Sequence, residues 1–269
     1  MNKAFLEKYG PWAIITGASK GLGEEFAYQC ANAGLNLVLV DIDGDLLKDR
    51  EELIEKKYGV RVRSIALDLS RGDILDVIKP YTESIEVGLL VNNAGISHIR
   101  PFLKNTREEL INELYVNARA SMLLAHHFAG KMVLRNRGGV IFLSSMSALQ
   151  GTSFLGSYAA TKAYNLVLGE SLWYELGIQG IDVLAFMPGS TLTPGLKEKN
   201  PKDASIVRVM GVHETVKEAM KALGKTPSII PGRYNRFSSF FMTRFFTRRW
   251  SIKTISKIVD KVFGPIDLR

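Results

Sequence analysis

From Trp12 onward, short apolar runs alternate along the chain with longer stretches that keep charged residues to one helical face. The apolar runs are 12–16 (WAIIT), 36–41 (NLVLVD), 61–67 (RVRSIAL), 87–92 (VGLLVN), 138–144 (GGVIFLS), 181–187 (IDVLAFM) and 228–231 (SIIP), and each reads as a strand. Helices are predicted between them, over 21–33, 44–57, 72–80, 106–135, 157–178 and 212–223. Strands this uniformly apolar are covered on both faces, and regular alternation of strand and helix is the pattern of βαβ units. The expectation is one α/β domain over residues 1–232: a doubly wound, seven-stranded parallel sheet flanked by helices. The pattern lapses over 189–211, where Pro194, Gly195, Pro201 and several lysines predict a loop or lid over a site. Residues 233–269 form a further extension, amphipathic but rich in aromatic and basic residues.

Composition narrows this picture without changing it. A chain of 269 residues fills one sizeable core, and 46% apolar with 23% charged residues excludes disordered and collagen-like classes. No run of 18 uncharged apolar residues exists, so no spanning helix is expected, and Lys3, Glu7 and Lys8 do not follow the order of a signal peptide. A lone Cys30 excludes an internal disulfide and a thiolate zinc site, suits a reducing cytoplasm, and is expected to be a small buried hydrophobe. Of the four histidines, His126 and His127 are adjacent and diverge on a helix, so no metal is expected. His98, just beyond Gly95, is read as a satisfied loop histidine ahead of the alternative that it borders the substrate cleft.

The net charge of +8 is local. Residues 233–269 hold nine of the 35 Lys/Arg and only Asp260 and Asp267 of the 27 acids, leaving 26 basic and 25 acidic residues elsewhere. This tail mixes Phe237, Phe240, Phe241, Phe245, Phe246 and Trp250 with Arg236, Arg244, Arg248 and Arg249. Three destinations stay open for it: an anionic membrane surface, packing on a partner subunit or the body, and substrate contact. Nucleic acid is not expected, because no helix-turn-helix or RNA-binding motif accompanies the charge.

The candidate chemistry begins where the first strand runs into Thr16-Gly17-Ala18-Ser19-Lys20-Gly21-Leu22-Gly23 and a helix opens. Such glycines let a pyrophosphate approach helix N–H groups, whose partial positive charge favours an anion. Asp41 ends the second strand, where a carboxylate accepts hydrogen bonds from adenosine ribose hydroxyls and repels a 2′-phosphate. Lys20 pulls the other way, as a cation that could pair such a phosphate. Further along come Asp68-Leu69 after the third strand, Asn92-Asn93-Ala94-Gly95 after the fourth, and Pro188-Gly189-Ser190-Thr191-Leu192-Thr193 after the sixth. Tyr158 and Lys162 lie four apart on a predicted helix and share a face. Ser145 precedes Tyr158 by 13 residues at the end of the fifth strand, and Asn117 is a polar amide in mid-helix.

Together these elements resemble the short-chain dehydrogenase/reductase family over about residues 11–232, with no departure at a catalytic position. The resemblance implies a Rossmann-type fold and catalytic roles for Asn117, Ser145, Tyr158 and Lys162. It implies cofactor contacts from Gly17, Ser19, Lys20, Gly21, Leu22, Gly23, Asp41, Asp68, Leu69, Asn93, Ala94, Gly95, Tyr158, Lys162, Pro188, Gly189, Thr191 and Thr193. Asp68 would hold the adenine amino group, the threonines the nicotinamide amide and phosphate, and Asn117 a water against Lys162. A phenol titrating near 10 is a poor base at neutral pH, and lowering it by roughly three pH units asks for about 4 kcal/mol of favourable charge, which Lys162 and the oxidised nicotinamide would supply.

NAD is the expected cofactor, since Ile42 follows Asp41 where NADP-preferring relatives often carry Arg; Lys20 keeps NADP open. The implied activity is hydride transfer with a secondary alcohol or ketone, a hydrophobic one such as a sterol-like or acyl-chain compound given the apolar lid and tail, with Phe154 and Leu155 as candidate pocket residues. Two alternatives stand beside it, an NADPH-dependent 3-oxoacyl reductase and a protein that binds NAD without turnover as a sensor or membrane scaffold. Family members usually pair through the helices matching 106–135 and 157–178, so a homodimer or homotetramer is expected, in the cytoplasm or peripheral at a membrane.

Overall fold

A computed structural model describes residues 3–194 and 208–264. Its sheet has seven parallel strands, β1 Trp12–Thr16, β2 Asn36–Asp41, β3 Val62–Ala66, β4 Val87–Asn92, β5 Gly138–Leu143, β6 Ile181–Phe186 and β7 Ser228–Ile229, in the order β3-β2-β1-β4-β5-β6-β7. The seven predicted runs are these seven strands, with β3, β5, β6 and β7 one or two residues shorter than expected. The last strand pairs only Ser228 and Ile229, with Ala185 and Phe186, and Pro231 follows with no N–H to extend the ladder.

Among the described residues the α-helices are α1 Lys3–Tyr9, α2 Gly21–Asn32, α3 Gly44–Tyr58, α4 Ile74–Thr82, α5 Arg107–Leu114, α6 Ala120–Val133, α7 Gly156–Gly177, α8 Val212–Ala222, α9 Arg233–Phe245 and α10 Arg248–Phe263. Local signals set their ends. Asp43 caps α3 by accepting from the Leu46 N–H, and Gly59 closes it in the left-handed region; Thr106 and Glu109 form a reciprocal capping box at the start of α5. The long helix expected over 106–135 is instead three pieces, because a π-helical turn over Tyr115–Arg119 separates α5 from α6. Of the expected lid, residues 195–207 lie outside the described residues. Its flanks meet where Thr191 bridges Met210.

Alternate residues of each strand enter two cores. Ile15, Leu39, Val91, Ile141 and Phe186 pack on one face with Phe26 and Cys30 of α2; Ile14, Val38, Leu90, Val140 and Phe142 pack on the other with Phe128 of α6. Burial on both faces is why the strands lack polar alternation. Cys30 is fully buried and its thiol is pushed up to about 12 by that burial, so it acts as a small hydrophobe. Helix α1, which the periodicity does not announce, is anchored by Tyr9, whose hydroxyl donates to Asp182 at 2.5 Å while Lys8 pairs with the same carboxylate.

Phe26 has no exposed surface and meets Phe186 edge-on with ring centroids 6.1 Å apart. Phe26→Ala leaves a cavity between α2 and the sheet and should cost about 3–5 kcal/mol in a urea titration of the intact chain. A loss under about 1 kcal/mol would mean that this face of the core closes over the gap.

Candidate active site

Strand order reverses between β1 and β4, so the carboxyl ends of these neighbours open a crevice, the usual ligand position in such sheets. Gly17 turns there with φ +64°, and a Cβ on it would stand 2.9 Å from Ala94 Cα. A Cβ on Gly23 would stand 1.9 Å from the Gly17 oxygen. Only glycine lets α2 begin this close to the end of β4. Asn93 braces the contact, its side-chain amide donating to the backbone oxygens of Thr16 (2.8 Å) and Gly17 (2.9 Å), while the N–H groups of Asn93 and Ala94 both donate to Thr16 Oγ1 (3.0 Å each).

No side chain caps the first turn of α2 at Lys20, which leaves its N–H groups to an anion. Beside it, Ser19 Oγ is buried with no hydrogen-bond partner, a hydroxyl that a ligand in the cradle would satisfy. Thr193 reaches the same turn from beyond β6, its Cγ2 lying 3.2 Å from where a Gly21 Cβ would be. Cradle, orphan hydroxyl and open helix end fit a dinucleotide.

Asp41 lies at the end of β2, accepting from the N–H groups of Ser19 (3.0 Å) and Asp43 (3.2 Å), and remains half-exposed beside the exposed Ile42. Arg50, not singled out by the sequence reading, donates to the Ser19 carbonyl at 3.2 Å, but its charge is met by Glu24 at 2.8 Å. Lys20 is exposed at the rim. Asp68 accepts from the Ser70 N–H at 2.8 Å, whereas the Leu69 side chain is buried in the second core. Thr191 spends its hydroxyl on the Gly189 oxygen, and the Pro188 oxygen accepts from the Met146 N–H at 3.1 Å.

Across the crevice, the structure brings Asn117, Ser145, Tyr158 and Lys162 together. Lys162 is 2% exposed, its Nζ donating to the Leu143 oxygen at 2.9 Å and standing 5.7 Å from the Tyr158 ring centroid. Gly95 faces it, with Nζ 3.0 Å from where a Cβ would lie. Asn117 sits in the π turn; its amide accepts from the Ile96 N–H (2.8 Å) and donates to the Ile96 oxygen (2.9 Å) and Thr161 Oγ1 (3.0 Å). Its Oδ1 lies on the same side of Gly95 as Lys162 Nζ, and its main-chain oxygen accepts from Asn165 Nδ2 at 2.8 Å. Asn165, missed in the sequence, follows Lys162 by three and Tyr158 by seven and so continues their helical stripe.

Tyr158 is half-buried, and its hydroxyl is pushed up to about 12, first by burial; the Ser145 hydroxyl, hydrogen-bonded to it, pulls the other way, and the Glu113 carboxylate adds to the rise. Glu113, 2% exposed, was also invisible to the sequence reading; it accepts from the His98 N–H at 3.4 Å. His98 itself contacts Arg100, as expected of a satisfied loop residue. Among the described residues no cluster of ligating side chains could hold a metal.

Ser145 and Tyr158 open on a cavity of about 480 Å³. Met146, Leu149 and Leu155 line one side; Met242 of α9 and Ile258 and Val262 of α10 line the other. Leu155 is thus a pocket residue as expected, while Phe154 is not among the lining residues. The tail is fastened over the cavity by Ser153, whose N–H donates to Ser256 Oγ (3.1 Å) and whose hydroxyl donates to Asp260 (2.9 Å), and by Arg236 pairing with Glu218 at 2.6 Å. Body packing and a wall of the cavity are two uses of the tail that the structure displays.

Residues 11–204 match the model of the short chain dehydrogenase family. A 7beta-hydroxysteroid dehydrogenase of Mediterraneibacter gnavus is 32% identical over 86% of this chain and 90% of its own length. The very-long-chain 3-oxoacyl-CoA reductase of Rattus norvegicus is 32% identical over 83% of this chain and 72% of its own. A solved 7beta-hydroxysteroid dehydrogenase structure superposes with a TM-score of 0.89 at 28% identity, covering 95% of this chain and 99% of that one.

An ultraviolet difference titration of wild type against Tyr158→Phe, without ligand, should isolate a phenol with a midpoint near 12, and Ser145→Ala should move it higher. An unfolded tyrosine titrates near 10. The folded value lies above it, so this group's contribution to stability is complete below pH 10 and is lost as pH rises toward 12. A midpoint at 10 would contradict the burial argument.

Proposed function

The chain belongs to the short chain dehydrogenase family, and from that membership and the geometry of the site we propose an oxidoreductase that moves hydride between NAD and a hydrophobic secondary alcohol or ketone, sterol-like compounds ahead of acyl-chain ones. The observation that carries this reading is the opening of Ser145 and Tyr158 onto a cavity walled largely by carbon, of a volume suited to a molecule of sterol size. Similarity to 7beta-hydroxysteroid dehydrogenases ranks a ring alcohol first; similarity to a 3-oxoacyl-CoA reductase gives the acyl chain as the second reading. Arg208, on the cavity wall with its guanidinium 5.3 Å from the Tyr234 ring centroid, favours a substrate with an anionic remote end.

In this proposal Tyr158 transfers the proton and Ser145 holds the substrate oxygen with a second hydrogen bond. A phenol held near 12 is protonated at neutral pH, the form that donates to a ketone oxygen. The bound dinucleotide supplies the hydride position and, when oxidised, a positive charge that with Lys162 lowers the phenol for the reverse direction. Lys162 is kept in place by the Leu143 oxygen, and the Asn117 oxygen and Asn165 close a polar chain behind it. Gly17, Ser19, Gly21, Leu22 and Gly23 hold the pyrophosphate at the start of α2, Asp41 the adenosine ribose, Asp68 the adenine, and Ala94, Gly95, Pro188, Gly189, Thr191 and Thr193 the remaining wall. Asn93 serves by bracing the glycine turn, and Leu69 by packing beneath the adenine loop. NAD is preferred over NADP because Asp41 offers a half-exposed carboxylate where a 2′-phosphate would sit, while the nearby Arg50 is already neutralised by Glu24.

The proposed assembly is a homodimer or homotetramer paired through α5 and α7. Tyr164, Val167, Tyr174 and Ile178 recur on one face of α7 and are all exposed, beside the exposed Ile111 and Leu114 of α5. The proposed setting is cytoplasmic, since a lone buried thiol suits a reducing compartment.

Steady-state assays with hydroxysteroids, their ketones, aliphatic secondary alcohols and 3-oxoacyl thioesters, in the presence of NAD(H) and NADP(H), test the reaction. Turnover should favour NAD and fall about 10³-fold in Tyr158→Phe, and Asp41→Ala should move the preference toward NADP by about tenfold or more. Tight NAD binding with no turnover on the whole panel would sink the enzymatic reading. Sedimentation should show Val167→Glu/Tyr174→Glu as a smaller species than the wild type; a monomeric wild type at micromolar concentration would dismiss the pairing face.

A further inference from the structure

Helix α9 is amphipathic the wrong way round for a helix packed on a protein body. At 100° per residue, Phe237, Phe240, Phe241 and Phe245 fall within an arc of about 140°, and all four are exposed, Phe237 and Phe245 to 64%. The opposite arc, turned inward to the cavity and body, carries Asn235, Ser239 and Met242. Polar and small residues are inside and phenyl rings outside. Exposed rings contact one another along the helix, Phe237 with Phe241 at 5.2 Å and Phe241 with Phe245 at 4.7 Å between centroids. Beyond it, Phe246 in the turn and Trp250 of α10 are stacked at 4.0 Å, both exposed. A contiguous aromatic surface of this extent marks an interaction site.

The charges around it have one sign. Arg233 and Arg244 lie within the aromatic arc; Arg248 and Arg249 follow at the turn, and Lys253, Lys257 and Lys261 are exposed along α10. Among the described residues of α9 and α10 the only acid is Asp260, and it accepts a hydrogen bond from Ser153. Arg244, Arg248 and Arg249 form no ion pair with a described residue. A second copy of this face would bring these cations against each other across a twofold axis, and the body already offers an apolar face on α5 and α7. An anionic lipid surface instead accepts both features at once, the rings in the headgroup region and the cations on phosphate.

We infer that the α9–α10 hairpin docks the protein on an anionic bilayer surface, with the rings of Phe237 to Trp250 at the interface and Arg244, Arg248 and Arg249 on lipid phosphates. Attachment is superficial, because no described helix is long and apolar enough to cross a membrane. The inference concerns a different face from the crevice and does not depend on the reaction proposed there.

The test is flotation of the full-length protein with vesicles of phosphatidylcholine alone and of phosphatidylcholine mixed with phosphatidylglycerol, at low and high salt. Binding should need the anionic lipid and weaken with salt. Each basic residue near such a surface multiplies partition about fivefold, so Arg244→Glu/Arg248→Glu/Arg249→Glu should reduce it by at least about 100-fold. Phe237→Ser/Phe241→Ser/Phe245→Ser should also lose binding while its urea midpoint stays at the wild-type value, since these side chains are exposed. Wild-type protein that fails to float with anionic vesicles at low salt would overturn the inference. So would a serine variant that sediments as a smaller species than the wild type, which would make this face a contact between copies.

Discussion

The closest constraint in the molecule is the approach of the start of α2 to the end of β4. Backbone meets backbone there, with no room for a Cβ at Gly17 or Gly23, and the contact is secured by four hydrogen bonds that converge on Thr16 and Gly17 from Asn93 and Ala94. The sheet depends on it, because β4 is its central strand and β1 lies beside it. The cofactor cleft depends on it too, since the same contact aims the uncapped end of α2 into the crevice and sets Ala94 and Gly95 opposite Lys162. One packing requirement therefore fixes both the fold's centre and the spacing between its nucleotide and catalytic halves.

The catalytic half is held by a different device. A π-helical turn at Tyr115–Arg119 takes the Asn117 carbonyl to Asn165 and Ser121 and its amide to the loop at Ile96. Buried polar groups are costly unless paired, and here hydrogen bonds run from Ile96 through Asn117 and the Asn165 side-chain N–H groups to the Leu143 oxygen, which also receives Lys162, while Asn165 Oδ1 is left without a partner. A fully buried ammonium is thereby fixed with little freedom to stray. The π turn is the kind of helix defect found at functional sites.

Much of this was legible in the sequence because it rests on local rules. Seven strands followed from apolar runs, the glycine turn from its position between strand and helix, and the Tyr158–Lys162 face from a spacing of four. What could not be read depends on tertiary placement. The π turn adds one residue to a helical turn and leaves the apolar period of 106–135 nearly unchanged, so it looked like one helix. Glu113 and Asn165 became site neighbours only when α5 and α7 packed together, and Arg50 entered the nucleotide rim only through its reach to Ser19. The side chain of Leu69 packs into the second core, which leaves its main chain as the part that faces the cleft beside Asp68 in the proposed site.

The tail shows most clearly why pattern and placement can disagree. Its helices look like ordinary amphipathic segments, and the expected outcome of such a pattern is that the aromatic face is buried, at about 1.5–3 kcal/mol per large side chain. In α9 that gain is left unused on the body side. The hairpin is instead kept in place by named polar links, Ser153 to Ser256 and Asp260, Arg236 to Glu218, and Asn235 to the Pro231 oxygen, with aliphatic contacts from α10 around the cavity. A wall fastened by a few hydrogen bonds and one ion pair opens at lower free energy than one sealed by aromatic burial. The element that encloses the cavity is therefore held without its aromatic face, and that apolar surface is what remains for an outside partner to cover.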